Sequence, residues 1–216
     1  MYSTAKFRAD DLVVLQSFIQ AHPFGTLIAQ GPDGSPVIAH APCLLDTSRP
    51  GAGRLRLHLA RGNPAVRAAL DGKGVTVVFQ GADAYVSASW YEHPELQVPT
   101  WNYVVVHAHG RAQGPMEGPA LLQLLDDLAG AFEGNSARRW TRELVAPELT
   151  AQLCEAIVGF DIELDTLEGS FKLSQNRSPA DRRRVAAALE HRGRPDDAEL
   201  ASLMRSMGIA GGRGTD

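Results

Sequence analysis

The fold reading turns on Leu55–Arg111, LRLHLARGNPAVRAALDGKGVTVVFQGADAYVSASWYEHPELQVPTWNYVVVHAHGR. Leu55, Leu57 and Leu59 alternate with polar residues, which predicts a strand with one buried face. Asn63-Pro64 reads as a helix start, with asparagine capping and proline at the first helical position. Gly72 and Gly74 end that helix and permit a turn into a strand over Val75–Phe79. A second strand region surrounds Tyr85 and Val86. Along Trp101–Ala108, Tyr103, Val105 and His107 share one face, and Asn102, Val104 and Val106 share the other. One face of that strand is suited to line a cleft. The block also concentrates the unusual side chains: His58, Arg61, Tyr85, Trp90, Tyr91, Trp101, His107 and His109.

Outward from this block, Asp10 reads as the cap of a helix to about Gln20, with Leu12, Leu15 and Ile19 on one face. His22-Pro23 ends it, because the residue before proline resists the helical region. Phe24–Ala29 and Pro36–Leu45 read as a hairpin around Gly31–Gly34. Pro42 cannot donate to a ladder, so its strand needs an edge, a bulge or a ligand there. After Arg111, Gly118-Pro119 opens a helix to about Phe132. Leu121, Leu124, Leu125, Leu128 and Phe132 form its apolar stripe, and Asp126 and Asp127 face out. Gly134 and Asn135 break it. A short helix follows Pro147, and Ile157–Leu167 is a strand. Ser178-Pro179-Ala180-Asp181 starts a helix to about His191. A last helix covers about Asp197–Met207, before a frayed tail, GIAGGRGTD.

The 216 residues, 44% of them apolar, suffice for one large core or two small ones. The formal net charge of -4 lacks the basic footprint of most nucleic-acid binders. Cys43 and Cys154 are too few for a disulfide scaffold, and Cys43 in its apolar run reads as buried and reduced. No apolar run approaches the roughly 20 residues of a membrane span. Lys6, Arg8, Asp10 and Asp11 precede any apolar block, unlike a signal peptide, so the cytoplasm is the expected location.

The chain carries no GxGxxG after its first strand, no GxxxxGK[ST] and no GxSxG, so dinucleotide, P-loop and esterase-elbow sites are unsupported. His107 and His109 share a strand face, but a metal site wants a third ligand, which His40 or His58 supplies only if folding brings it close. No metal site and no catalytic acid–base constellation is assigned. The block better suits a flat-ringed phosphate cofactor, which needs apolar walls, backbone donors and a cation. Arg61 stands beside the capped helix start, where phosphate is favoured.

Several stretches carry a family resemblance: HPFGTLIA at His22, IAHAPCLLD at Ile38, LHLARGNP at Leu57, VVFQGADAYVSASWY at Val77, VPTWNYVVVHAHG at Val98 and KLSQNRSPADR at Lys172. In this order they resemble the PaiB family, also called FMN-binding negative transcriptional regulators, across nearly the whole chain. Cys43 departs from the aliphatic residue usual there, and residues 138–155 match loosely. The resemblance implies an α+β fold: an FMN-binding split β-barrel, mainly antiparallel, with flanking helices and a C-terminal helical segment. Its domain would span residues 1–177, and residues 178–216 would be a helical extension packed on it.

The resemblance also implies a homodimer with FMN at the subunit interface. The flavin wall then falls on His40, Pro42, Leu44, Leu57, His58 and Ala60. Arg61 and Asn63 lie at the phosphate end, and Trp101, Asn102 and Tyr103 close the ring side. Lys172, Ser174, Gln175, Asn176 and Arg177 form a second polar cluster. Transcriptional repression is the implied role, with Arg177, Arg182, Arg183 and Arg184 as the local basic surface for DNA phosphates. Two alternatives stand beside it: a flavin-dependent oxidoreductase linked to a nicotinamide, and a flavin sensor without catalysis.

Overall fold

The computed structural model describes residues 1–134 and 138–208. In chain order its elements are β1 (Arg8–Ala9), α1 (Leu12–Ala21), β2 (Phe24–Gln30), β3 (Pro36–Pro42), β4 (Leu44–Asp46), β5 (Arg54–Ala60) and α2 (Pro64–Leu70). There follow β6 (Gly74–Val86), β7 (Thr100–Met116), α3 (Gly118–Glu133), α4 (Pro147–Glu155), β8 (Ile157–Lys172), α5 (Pro179–Arg192) and α6 (Asp197–Ser206). Asn135 and the tail beyond Gly208 lie outside the described residues.

The strands form one sheet in the order β3-β2-β6-β7-β8-β5-β4, with β1 paired to β8. The ladders β1–β8, β2–β3, β2–β6, β4–β5 and β5–β8 are antiparallel. The α+β class with flanking helices stands, but the expected split β-barrel does not: the sheet is open and ends at β3 and β4. The reason lies at their junction. Strand β4 has three residues and follows β3 after Cys43 alone, too short a link for the two to turn and pair, and among the described residues no ladder joins them. Pro42 has no N–H to donate, and the Cys43 N–H goes to the Pro23 carbonyl at 2.8 Å.

The chain divides into two compact units. The central unit comprises residues 11–79 and 107–167, and the terminal unit residues 1–10, 80–106 and 168 onward. Strands β6, β7 and β8 contribute residues to both.

In the central unit Asp11, one residue beyond the expected Asp10, caps α1 by accepting from Val13 and Val14 N–H at 2.9 and 3.2 Å. Leu15, Phe18 and Ile19 form the buried face of this helix, each side chain contributing about 1.5–3 kcal/mol. Asn63 and Pro64 start α2 as the sequence predicts, the Asn63 side chain accepting from Ala65 N–H at 2.9 Å. The β2–β3 hairpin runs from Phe24 opposite Pro42 to Gln30 opposite Pro36. Both prolines sit on an edge strand, where the missing donor breaks no further ladder.

Charge sets the register of β4, β5 and β8. Arg54 bridges Asp46 at 2.8 Å and Asp161 at 2.9 Å. Hydrogen bonds from Ser48 and Arg54 hold the Asp46 carboxyl well below the usual carboxylate range. Neither aspartate of α3 simply faces out. Asp126 takes two hydrogen bonds from Arg142, at 2.7 and 2.8 Å, and Asp127 pairs with Arg56. Leu121, Leu124 and Leu128 of α3 are buried, while α4 buries none of its residues. Strand β7 continues past Arg111 to Met116. At Gly110 an added Cβ would lie 2.1 Å from the Glu163 carbonyl oxygen, so glycine permits β7 and β8 to approach.

In the terminal unit the alternation along β7 is as expected. Asn102, Val104 and Val106 are buried, and Trp101, Tyr103 and Val105 are not. Ser178 caps α5 by accepting from Asp181 N–H at 3.1 Å, and Gly193 ends it at φ 65. Val185, Ala186 and Leu189 of α5, and Leu200, Ala201 and Met204 of α6, are all buried. The α5–α6 turn is held by Asp197, 1% exposed, which accepts from Arg192 Nε at 2.8 Å and from Arg194 N–H at 2.9 Å.

Candidate functional site

The terminal unit joins two sequence-distant clusters. Residues 172–177 close around residues 97–102. The Lys172 ammonium donates to the Trp101 carbonyl at 2.7 Å and to Thr100 Oγ1. Burial first, and then the charge of Arg177, lowers the pKa of Lys172. Asn102, wholly buried, donates from Nδ2 to Ser174 Oγ at 3.0 Å, and that hydroxyl is 3.2 Å from Asn102 Oδ1. Ser174 holds φ 64, a left-handed conformation that non-glycine residues rarely adopt. Gln175 folds back on its own loop, accepting from Leu173 N–H at 2.6 Å and donating to the Phe171 carbonyl. Arg177 donates to Gln97 Oε1, and its guanidinium lies 4.8 Å from the Tyr91 ring centre. Asn176 is exposed and Tyr103 half-buried.

The product of this clasp is a presented aromatic. Trp101 is 52% exposed, with its ring edge-on to Tyr85 at 6.0 Å between centroids. Of the predicted ring-side and polar-cluster residues, Trp101 is exposed; Lys172, Asn102 and Ser174 tie the loop to the strand, Gln175 closes the loop on itself, and Arg177 reaches Gln97. Thr100 and Gln97 were missed by the sequence reading. Their partners Lys172 and Arg177 lie more than seventy residues away in the chain, so no local spacing signals them.

The basic run is partly occupied in the same unit. Arg184 lies 3.7 Å from Glu92, and Asp181 accepts the Glu92 N–H at 2.9 Å. Arg182 Nε is buried without a hydrogen-bond partner, and Arg183 is exposed.

In the central unit the remaining predicted residues disperse. His40 is exposed on β3, its Nδ1 3.0 Å from Thr26 Oγ1. Pro42 and Leu44 are half-buried, and Leu44 packs against the α3 cluster. Leu57 is wholly buried in the core, and Ala60 is exposed. His58 is half-buried, and burial lowers its pKa. Arg61 donates to the carbonyls of Glu155 at 2.6 Å and Ile157 at 3.0 Å, tying β5 to the turn before β8. Asn63 spends its side-chain oxygen on the α2 cap. His109 Nδ1 is 2.9 Å from Thr76 Oγ1, and the His107 and His109 rings are 6.1 Å apart. Among the described residues neither His40 nor His58 joins them as a third donor.

A family described as "Putative FMN-binding domain" matches residues 1–166. The chain belongs to this family. A flavin-binding domain thus covers most of its length. Within curated proteins it is 31% identical to "Protease synthase and sporulation protein PAI 2" of Bacillus subtilis, over 94% of this chain and 96% of that one. An uncharacterized protein of Emericella nidulans is 25% identical over 96% of this chain and 98% of its own. Among solved structures, a conserved hypothetical protein of Mycobacterium tuberculosis superposes with TM-score 0.58 at 15% identity, over 82% of this chain and 94% of that one. The flavocytochrome Anf3 of Azotobacter vinelandii gives 0.59 at 14% identity, over 76% and 69%. At such identities the structural likeness is one of fold.

The residues present fit a flavin ring. Trp101 offers an exposed face for stacking, and Lys172 uses two of its three donors internally, leaving one for a ring carbonyl or nitrogen. Among the described residues no helix is long and apolar enough to cross a membrane.

Proposed function

We propose that this protein binds FMN and works as a flavin-dependent oxidoreductase. The observation that carries the proposal is Trp101, whose indole is half-exposed and whose backbone carbonyl accepts from the Lys172 ammonium of the 172–177 clasp. Bound FMN supplies the redox chemistry, passing electrons from a nicotinamide to an acceptor. Trp101 would hold the ring by aromatic contact, at about 0.5–1.5 kcal/mol beyond area burial. Lys172 would hold the ring through its remaining donor, and its positive charge would favour negative charge on a bound flavin. Tyr85, edge-on to Trp101, limits the tilt of that platform.

A repressor acting through the arginines is the less favoured reading. Arg177 is bonded to Gln97 and Arg184 lies near Glu92, which among the described residues leaves Arg183 as the exposed cation of this run without such a neighbour. The likeness to the Bacillus protein, whose name speaks of protease synthesis and sporulation, keeps regulation as the second reading. Assembly as a two-fold homodimer is part of the proposal. It is supported by Phe24 and Ile38, 67% and 57% exposed on the paired strands β2 and β3, an apolar face that a second copy would cover.

The test is direct. Purified protein reconstituted with FMN should oxidise NADH or NADPH in the presence of a dye acceptor, and should bind FMN more tightly than FAD. Trp101→Ala should weaken FMN by about 2- to 12-fold without loss of fold. Promoter shifts at low salt from flavin-loaded protein with no nicotinamide turnover would replace the redox reading by the regulatory one. Sedimentation equilibrium of the loaded protein should return a dimer; a monomer at micromolar concentration ends that part of the proposal.

A further inference from the structure

Within the central unit, α3, α4 and the adjoining ends of β5 and β8 border two open cavities that share Arg142, Val145, Thr150, Cys154 and Ile157. The larger, about 840 Å³, has a rim mixed in charge, with Arg61, Arg142, Glu117, Glu143 and Glu155. The smaller, about 500 Å³, is a different environment. Its walls include Leu125, Leu128, Phe132, Trp140 and Leu153, and His58 also lines it. That volume lies within the roughly 300–1,000 Å³ typical of small-molecule pockets.

Its two charged residues already have partners. Arg142 is fixed by two hydrogen bonds to Asp126, and the Glu133 carboxylate accepts the Trp140 N–H at 3.2 Å. His58 is different. Its Nδ1 is buried without a hydrogen-bond partner. A buried polar atom left so is unfavourable, and because His58 lines the cavity, a turn of its ring brings this nitrogen to an occupant and recovers the loss. Burial lowers the pKa of His58, so the ring is neutral near neutral pH and offers one donor and one acceptor. Helix α4 on one side of the cavity buries none of its residues, and Leu149 and Leu153 are 47% and 56% exposed. A helix so lightly anchored yields to an entering molecule without opening the core.

We propose that this cavity is a second ligand site, which takes an uncharged, mainly aromatic molecule carrying one hydroxyl or carbonyl that bonds to His58. The mainly apolar walls, with Arg142 already paired to Asp126, select against ionic ligands, and the His58 ring selects one polar head. The site does not use Trp101 or Lys172, so it stands or falls separately from the redox reading.

The experiment titrates FMN-loaded protein with 2-naphthol, and in parallel with naphthalene, by equilibrium dialysis. 2-Naphthol should bind saturably to one site per chain, with affinity unchanged by excess FMN. His58→Phe should weaken 2-naphthol about 5- to 10-fold and leave naphthalene nearly unaffected. Ala129→Phe, which fills the cavity from a half-buried wall position, should abolish binding of both while circular dichroism stays native. If that variant does not fold, the hydroxyl selectivity lost in His58→Phe still decides. Absence of saturable binding, displacement by FMN, or equal losses of both probes in His58→Phe would each overturn the proposal.

Discussion

Replacing Asn102 by alanine tests whether the clasp on the Trp101 strand is a single coupled unit. Asn102 and Ser174, 0% and 3% exposed, satisfy each other through contacts of 3.0 and 3.2 Å. Asn102→Ala removes both and strands the serine hydroxyl in the core. Hydrogen bonds of about 0.5–1.5 kcal/mol and a stranded hydroxyl of about 1–3 kcal/mol place the total loss at about 2–4 kcal/mol. Ser174→Gly strands the amide instead. It also relieves φ 64, a conformation costing a non-glycine residue about 1–2 kcal/mol, so its net loss should be smaller, about 1–2 kcal/mol. In the double variant no polar group is left stranded. It should be about as stable as Asn102→Ala alone, which means a coupling of about 1–2 kcal/mol. Urea unfolding followed by circular dichroism measures all four proteins. Flavin titration of the same set should show weakened FMN in Asn102→Ala, because the strand that displays Trp101 has lost its anchor. If the two single losses simply add in the double variant, the residues are independent and the clasp as described is wrong.

Four further outcomes follow from the packing and the pKa shifts. Gly110→Ala should cost about 2–4 kcal/mol, because backbone, not a yielding side chain, stands 2.1 Å from the new Cβ; Gly130→Ala in α3 meets nothing within 4 Å and should gain about 0.5–1 kcal/mol, both read by thermal denaturation. Burial pushes the Cys43 thiol up to about 12, so native protein should resist a thiol reagent at Cys43 while the half-buried Cys154 reacts, and mass mapping of modified Cys43 in folded protein would contradict this. His58 has a folded pKa below its unfolded value, so the unfolded chain binds the proton more readily. Stability should fall as pH drops through about 6.5, and His58→Phe should flatten that slope in urea titrations at stepped pH. Asp46 has its folded pKa depressed, so its contribution is present above about 4 and lost in more acid solution, a window distinct from that of His58.

What the sequence by itself determined is local. Asn63-Pro64 and Ser178-Pro179 announce helix starts because a cap and a pre-set φ act within a few residues. The alternation of Asn102, Val104 and Val106 sorts the faces of β7 because a strand repeats every two residues. The family motifs, too, were legible, since they are strings of neighbours. What only the tertiary structure decided depends on residues far apart in the chain. Periodicity gave Asp126 and Asp127 an outward face, but Arg142 and Arg56 turn them into fixed ion pairs. KLSQNR read as a cofactor cluster, and its side chains are largely spent on residues 97–102 of the same unit. The open sheet was hidden for the same reason. Strands β3 and β4 stand at opposite ends of the strand order because β3 pairs with β2 and β4 with β5, and β5 finds its other partner in β8, about a hundred residues further along the chain.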